Sequence, residues 1–224
     1  MVKITKFAQS NFLIEANNKK LLVDPGNFNA DKYSQPQDFF KDISALIITH
    51  KHPDHFDQSV VKNIFYQSHP IILTTQENVG ILAPEGVETR VFKIGEFAAV
   101  GPFKIRAVAA NHHGRWGEIA GRRIDAFGAV VLVEGKTFYH TSDTVPPIAN
   151  FPTCEVIFVP IGDRNVFTIA EAVDFVKNVK PKIAIPMHYD DPQDKNVNPA
   201  DFAQKLAGSE IEVKILQFGE SLEI

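Results

Sequence analysis

The most informative segment of this sequence is Thr49-His50-Lys51-His52-Pro53-Asp54-His55-Phe56-Asp57. Three histidines and one aspartate fall within six residues, directly after the apolar strand predicted over Ala45–Thr49. Pro53 prevents the segment from continuing as a strand or a helix, so we expect a loop. A loop can turn all four side chains towards one point, and imidazole nitrogen and carboxylate oxygen are ligands for zinc or a similar ion. A single histidine would be a solvated loop residue, but the whole cluster favours a metal site.

Three more candidate ligands lie near the ends of predicted strands elsewhere in the chain. His112 closes the stretch Ala109-Ala110-Asn111-His112, Asp143 follows Thr137–His140, and His188 follows Lys182–Met187. Strand ends that converge on one edge of a sheet are where α/β architectures place their ligands. The sequence therefore predicts that these three residues join the cluster.

The rest of the chain predicts helices that cover sheets. Predicted strands include Phe12–Glu15, Lys20–Val23, Ile71–Thr74, Phe127–Val133, Glu155–Val159, Glu212–Gln217 and Ser221–Ile224. Predicted helices are Gln58–Gln67 after an Asp57 cap, Gln76–Leu82, a segment that follows a Thr168/Glu171 capping box and ends at Pro181, and a segment between Asn198 and Gly208. No repeat or linker-like composition divides the sequence. The pattern alone predicts one α/β or α+β domain over residues 1–224.

Composition limits the classes of partner. The net charge of −4 argues against a nucleic-acid-binding surface, and no run approaches the roughly 18 apolar residues of a membrane span. The single cysteine, Cys154, rules out an internal disulfide and fits a reducing compartment. No signal-peptide core follows Met1, so we expect a cytoplasmic protein. The expected partner is a small-molecule substrate, with no nucleic acid and no membrane, and the oligomeric state stays open.

The ligand pattern resembles the metallo-β-lactamase superfamily. The motif His-X-His-X-Asp-His is followed by a lone His after 57 residues, a lone Asp after 31 more and a lone His after 45 more. Four further stretches are similar to the small metal-dependent hydrolases of that superfamily, a branch related to the ascorbate-phosphate lactonases. These stretches are Gln9-Ser10-Asn11-Phe12-Leu13-Ile14-Glu15, Leu21-Leu22-Val23-Asp24-Pro25, Tyr139-His140-Thr141-Ser142-Asp143 and Ile185-Pro186-Met187-His188-Tyr189.

The resemblance implies an αββα four-layer sandwich in a single domain, with two divalent ions at one edge, zinc first and manganese or iron as alternatives. The implied ligands are His50, His52 and His112 for the first ion, Asp54, His55 and His188 for the second, and Asp143 between them. A bridging carboxylate is also sensible on its own, because an anion between two dications reduces their repulsion. His113 competes with His112, which aligns better with the family.

Two residues outside the ligand set could orient it. The resemblance places Asp24 where a carboxylate can fix the orientation of a ligand histidine, although it could equally be a turn-forming residue before Pro25. His140 has the same status, as an orienting residue or simply a strand residue.

The expected activity is that of a metal-dependent hydrolase. A hydroxide bound between the two ions would attack a carbonyl or phosphoryl centre, with Asp54 and Asp143 as the catalytic carboxylates, and Asp54 orienting the hydroxide and relaying a proton. Arginines that follow strand ends could hold an anionic group, so the expected substrate is a small anionic ester, lactone or phosphoester. The candidate substrate-binding residues are Arg115, Trp116, Arg122, Arg123, Arg164 and Tyr189. The alternatives are an ordinary charged surface loop for the arginines and simple packing for Tyr189.

Two other functions stay open. One is a phosphodiesterase or nuclease-type metallohydrolase that acts on nucleotides, which the acidic surface and the short chain disfavour. The other is a metal-binding sensor without turnover, which the intact ligand set disfavours.

Overall fold

Two mixed β-sheets form the centre of the protein, and each has seven strands within the described residues. The structure is a computed structural model that describes residues 1–27, 40–114, 121–162, 164–190 and 197–224. The first sheet contains β1 (Lys3–Lys6), β2 (Phe12–Ala16), β3 (Lys19–Val23), β4 (Ile43–Ile48), β5 (Ile71–Thr74), β6 (Arg90–Val91) and β14 (Ser221–Glu223). The second contains β7 (Phe97–Val100), β8 (Phe103–Ala109), β9 (Phe127–Val133), β10 (Lys136–His140), β11 (Val156–Pro160), β12 (Ile183–Met187) and β13 (Glu212–Val213).

The two sheets follow the same plan. Strands run in the order β14-β1-β2-β3-β4-β5-β6 in the first sheet and β13-β12-β11-β10-β9-β8-β7 in the second. In the first sheet, pairing is antiparallel from β14 to β3 and parallel from β3 to β6. In the second, it is parallel from β13 to β10 and antiparallel from β10 to β7. Because β4 and β12 are parallel strands with parallel neighbours, the loops at their carboxyl ends are free to carry ligands.

Helices cover the outer faces of both sheets. Those described are α1 (Gln58–Ser68), α2 (Gln76–Leu82), α3 (Ile169–Val179), α4 (Pro199–Leu206) and a 3₁₀ turn over Ala83–Glu85. The predicted caps are confirmed, since Asp57 accepts from the amides of Ser59 and Val60, and Thr168 and Glu171 form a reciprocal capping box. In the described part of the chain, none of these helices has the length and apolar character that crossing a membrane requires.

In the part of the chain that the structure describes, three apolar clusters hold the layers together. The largest lies between the sheets and joins residues such as Ile14 and Ile47 of the first sheet to Phe103 and Ile185 of the second. A second cluster packs α1 on the first sheet, and a third packs α3 and α4 on the second sheet. Helix, sheet, sheet and helix thus form four layers, which confirms the predicted αββα sandwich.

One predicted strand is wrong in its length. The sequence predicts a continuous strand over Glu212–Gln217, but β13 covers only Glu212–Val213. The chain then leaves the second sheet, buries Leu216 and turns over Gln217 and Glu220 to reach β14 in the first sheet. The apolar pattern therefore marks a crossing between the sheets, which alternation alone cannot distinguish from a strand.

Candidate metal centre

The loop after β4 is held in a tight turn. The amides of His55 and Phe56 both donate to the carbonyl of His52, at 2.9 and 2.8 Å, so the chain folds around Pro53. The segment Asp24-Pro25-Gly26 lies against this turn. A Cβ atom on Gly26 would lie 1.8 Å from the carbonyl oxygen of Asp54, so only glycine permits this approach.

The other three candidates come from the second sheet. His112 lies three residues beyond β8, Asp143 three residues beyond β10, and His188 directly after β12. At or next to the candidate ligands of these loops, Ser142 with φ 61° and His188 with φ 65° have left-handed backbone conformations. Non-glycine residues adopt this region rarely, and such residues concentrate at functional sites.

The seven side chains form two groups that share one carboxylate. The first group comprises His50, His52, His112 and Asp143, and the second comprises Asp54, His55, His188 and Asp143. Within each group, the potential ligand atoms all lie within 4.8 Å of one another. Asp143 belongs to both, with its Oδ1 3.0 Å from Nε2 of His55 and its Oδ2 3.8 Å from Nε2 of His112. His113 is a member of neither group among the described residues, so the geometry favours His112.

The arrangement fits metal ligands better than it fits a hydrogen-bonded cluster. Three buried atoms have no hydrogen-bond partner in the described structure: Nε2 of His50, Nε2 of His55 and Oδ1 of Asp143. The last two atoms lie 3.0 Å apart, but their approach lacks hydrogen-bond geometry. Buried polar atoms without partners are costly, and a bound cation would satisfy them. Nδ1 of His52 and Nε2 of His112 lie 3.1 Å apart. Two ligands of a tetrahedral ion at about 2.0–2.1 Å are separated by roughly 3.3 Å, so the spacing is suitable.

Electrostatics hold both carboxylates in their charged form. Burial raises the pKa of Asp143, but His55 and His188 outweigh burial and hold that pKa well below its usual range. Asp54 behaves in the same way. Burial raises its pKa, but His55 and a hydrogen bond from His188 outweigh burial and hold that pKa well below its usual range. Both carboxylates are therefore ionised at neutral pH and ready to bind a cation.

The five histidines divide into two electrostatic classes. Burial lowers the pKa of His50 and His52, and lowers that of His112 to about 4. Burial also acts on His55 and His188, but Asp143 and Asp54 outweigh it and raise both pKa values well above the usual range. The rings of His50, His52 and His112 are thus neutral at pH 7, whereas His55 and His188 carry protons that balance the charges of the carboxylates.

Asp24 contacts one candidate ligand directly and a second through Thr49. Its Oδ2 lies 2.8 Å from Nδ1 of His55 and also accepts the hydroxyl proton of Thr49 at 2.8 Å. Thr49 Oγ1 in turn lies 3.1 Å from Nδ1 of His50. Both histidines therefore have a polar partner at Nδ1, which leaves Nε2 directed at the centre. Asp24 is fully buried with φ 51°, and its carboxylate accepts hydrogen bonds from the β4 end as well as lying in the turn after β3.

His140 supports the loop that carries Asp143. Its Nε2 donates to the carbonyl of Ser10 at 2.9 Å, and its Nδ1 accepts from the amide of Ser142 at 3.2 Å. Ser142 Oγ donates to Oγ1 of Thr49 at 2.8 Å. Neither Thr49 nor Ser142 is predicted as a site residue from the sequence, although each directly precedes a candidate ligand, and that adjacency was the available signal.

The candidate substrate-binding residues are scattered. Arg122 and Arg123 are exposed. The carbonyl of Arg122 accepts a hydrogen bond from the amide of Gly114, and Gly114 lies two residues after His112. Arg164 is exposed in the loop after β11. The hydroxyl of Tyr189 donates to the carbonyl of Leu216 at 2.8 Å, which favours the packing interpretation. Two further candidates lie outside the described residues, Arg115 and Trp116.

Comparisons with known proteins identify the family and the fold. A family model described as a beta-lactamase superfamily domain matches residues 3–188. A UPF0173 metal-dependent hydrolase of Archaeoglobus fulgidus is 34% identical and the alignment covers 99% of each chain. Another of Pelotomaculum thermopropionicum is 31% identical, with all of both chains covered. In fold, the chain is similar to Igni18, a metallo hydrolase of Ignicoccus hospitalis, with TM-score 0.83, 24% identity and coverage of 100% and 99%.

With this fold and these relatives, the chain belongs to the metallo-β-lactamase superfamily. Within the superfamily it is a metal-dependent hydrolase, as its relatives are described. The relation to ascorbate-phosphate lactonases stays a prediction.

Proposed function

We propose that this protein is a dinuclear metallohydrolase that cleaves a small anionic ester, lactone or phosphoester. The observation that carries the proposal is the position of Asp143 in both ligand groups. Two divalent ions that share this carboxylate would repel each other less than two ions without an anion between them. Zinc is the ion we expect, because imidazole nitrogen and carboxylate oxygen are its usual donors, with manganese or iron as alternatives.

The residues would divide between two ions as the two groups divide. His50, His52 and His112 would hold the first ion, and Asp54, His55 and His188 the second, with Asp143 between them. When bound, such ions polarise a carbonyl or phosphoryl oxygen and lower the pKa of bound water to about 7. The chain itself would supply the groups that bind the substrate and move the proton.

Asp54 is the carboxylate best placed to handle a proton. Its side chain is 17% exposed, compared with 4% for Asp143, so it lies nearer to the solvent side of the centre. Its lowered pKa keeps it ionised, and its Oδ2 lies 3.1 Å from Nε2 of His188. In this proposal a carboxylate oxygen of Asp54 orients the attacking water and accepts its proton. Asp143, deeper in the site, keeps the two groups together.

The arginines after His112 support an anionic substrate. The amide of Ile124 donates to the carbonyl of His112 at 2.9 Å, so the extended segment that carries Arg122 and Arg123 is fixed to the ligand-bearing loop. A guanidinium can bind a carboxylate or a phosphate through two parallel hydrogen bonds. We therefore expect these arginines to select substrates by charge. A cytoplasmic location is also proposed, supported by the single cysteine.

A substrate panel tests the proposal. Zinc-loaded protein is assayed with nitrophenyl esters, lactones, phosphomonoesters and the bis-nitrophenyl phosphodiester, each in neutral and anionic versions where both exist. We expect turnover of an anionic ester, lactone or phosphomonoester, and loss of turnover in the Asp54→Asn variant. Preference for the phosphodiester and for nucleotides would support the nuclease-type alternative. Full metal loading without turnover of any class would support a sensor.

A further inference from the structure

Gln9 has a buried side-chain amide with no visible purpose in the fold. The residue is fully buried, and neither Oε1 nor Nε2 has a hydrogen-bond partner among the described residues. Its backbone, by contrast, is fixed, because its amide donates to Oδ1 of Asp190 at 3.0 Å. The backbone also adopts φ 55°, which is uncommon for glutamine. A buried amide costs free energy unless it is hydrogen-bonded, so an unpaired one needs an explanation.

A second unpaired atom belongs to the residue that Gln9 contacts. The amide of His188 donates to the carbonyl of Gln9 at 3.3 Å. Within the described structure, Nδ1 of His188 is buried without a partner, whereas its Nε2 lies 3.1 Å from Oδ2 of Asp54. The backbones of Gln9 and His188 are therefore hydrogen-bonded to each other. Each of the two residues also has a buried side-chain group without a partner in the described structure, the amide of Gln9 and Nδ1 of His188.

Two other ligand histidines show what His188 lacks. Nδ1 of His55 is paired with Asp24 at 2.8 Å, and Nδ1 of His50 with Thr49 at 3.1 Å. A histidine that binds a metal through Nε2 carries its proton on Nδ1, and that proton needs an acceptor. Asp190 is already engaged by the amide of Gln9 and lies 3.5 Å from Nζ of the buried Lys6. The side chain of Gln9 belongs to the residue whose carbonyl accepts from the amide of His188. Two more buried acceptors without a partner in the described structure, Ser10 Oγ and Asn11 Oδ1, belong to the next two residues.

We infer that Gln9 is a positioning residue for His188. Oε1 of Gln9 accepts the hydrogen bond from Nδ1–H of His188, directly or through one buried water. This bond fixes the ring so that Nε2 faces the other ligand atoms of the second group. The inference rests on the proposed dinuclear centre. It also implies that two kinds of acceptor orient the ligands of the second ion, a carboxylate for His55 and a neutral amide for His188.

The test compares zinc affinities of three variants. Gln9→Met keeps the length of the side chain and removes the acceptor, whereas Gln9→Glu keeps an acceptor oxygen. Ser10→Ala is the matched control, because Ser10 Oγ is also buried and unpaired within the described structure but belongs to the next residue. Stepwise dissociation constants are measured by competition with a chelator. We expect Gln9→Met to weaken the binding of one of the two ions by about 10–100-fold and to leave the affinity for the other unchanged. Gln9→Glu should recover most of the lost affinity, and Ser10→Ala should bind both ions as the parent does.

A second measurement needs no variant. In zinc-loaded parent protein with ¹⁵N-labelled histidine, the Nδ1 proton of His188 should give an exchange-protected resonance that is close in space to the side chain of Gln9. A missing resonance, or one without contact to Gln9, overturns the inference.

The outcomes separate this inference from the proposed centre. Parent protein that takes up fewer than two ions overturns both. If the parent binds two ions and Gln9→Met binds them with parental affinities, only the role of Gln9 is overturned. An equal loss of affinity in Ser10→Ala overturns it as well, because the effect would then be that of any change in this buried segment.

Discussion

Oδ2 of Asp24 lies 2.8 Å from Nδ1 of His55 and accepts the Thr49 hydroxyl at the same distance. We propose that this buried carboxylate on the turn after β3 orients His55 directly and His50 through Thr49. These two histidines belong to different ligand groups. Asp24 thus connects the proposed sites of both ions although it belongs to neither group.

Replacing Asp24 with asparagine should weaken metal binding with little change in the backbone. Asparagine tolerates the left-handed conformation of residue 24, but its neutral amide is a poorer acceptor for three donors than the carboxylate is. We expect zinc affinity to fall by about 10–100-fold, measured by chelator competition. The control is Asp57→Ala, which removes the cap of α1, costs about 1 kcal/mol of stability and should leave zinc affinity unchanged. Parental affinity in Asp24→Asn would contradict the orienting role.

Gly26→Ala should disrupt the loop that carries Asp54 and His55. The added Cβ would lie 1.8 Å from the carbonyl oxygen and 2.0 Å from the carbonyl carbon of Asp54, and backbone atoms cannot move away as a flexible side chain could. We expect a loss of about 3 kcal/mol in the free energy of unfolding together with weaker metal binding.

The matched control is Gly80→Ala. Gly80 lies within α2, and a Cβ there meets nothing within 4 Å. That change should stabilise the protein by about 0.5–1 kcal/mol, measured by urea denaturation. Equal stabilities of the two variants would show that the close approach at Gly26 is unimportant.

Metal binding should become tighter as the pH rises above neutrality. In the metal-free protein, Asp143 and Asp54 outweigh burial and raise the pKa values of His55 and His188, so both rings carry protons that an ion must displace. Protonation stabilises the metal-free fold below the unfolded histidine pKa of about 6.5, and this stabilisation is lost as the pH rises through the raised values. The increase in thermal midpoint caused by zinc should therefore be larger at pH 8.5 than at pH 6.5.

Calorimetry in buffers of different ionisation enthalpy checks the same prediction. At pH 7, zinc uptake should release protons from the second group. The first group should contribute few, because burial keeps its rings neutral and lowers the pKa of His112 to about 4. Zinc uptake without proton release would contradict the assigned charge states.

Removing Arg122 and Arg123 should affect substrates according to their charge. If guanidinium groups hold an anionic group, the Arg122→Ala, Arg123→Ala double variant should raise KM for anionic substrates by about tenfold or more and leave neutral esters unaffected. Arg90→Ala is the control, since Arg90 is an exposed arginine on β6, the edge strand of the first sheet. The same change in KM for neutral and anionic substrates would contradict charge selection.

Much of the site could be predicted because its ligands are marked by local sequence. Pro53 within a histidine-rich loop and single histidines at strand ends leave a visible pattern, and the four-layer fold follows from the resemblance to the superfamily. The role of Thr49 could not be predicted, since a threonine at the end of a strand is ordinary until its contacts with Asp24 and His50 are seen. The short β13 was missed for a similar reason, because the buried Leu216 serves the crossing between sheets.

The most direct test of the dinuclear centre is the number of metal ions per chain, measured by elemental analysis after zinc loading and removal of free metal. We expect about two ions in the parent and about one in each of two variants, His52→Ala in the first group and His188→Gly in the second. Glycine is chosen at residue 188 because it accommodates φ 65°. Two ions in the parent, and one in each variant, would establish two sites, one for each group. A parent that binds one ion or none, or variants that retain the parental count, would contradict the dinuclear centre.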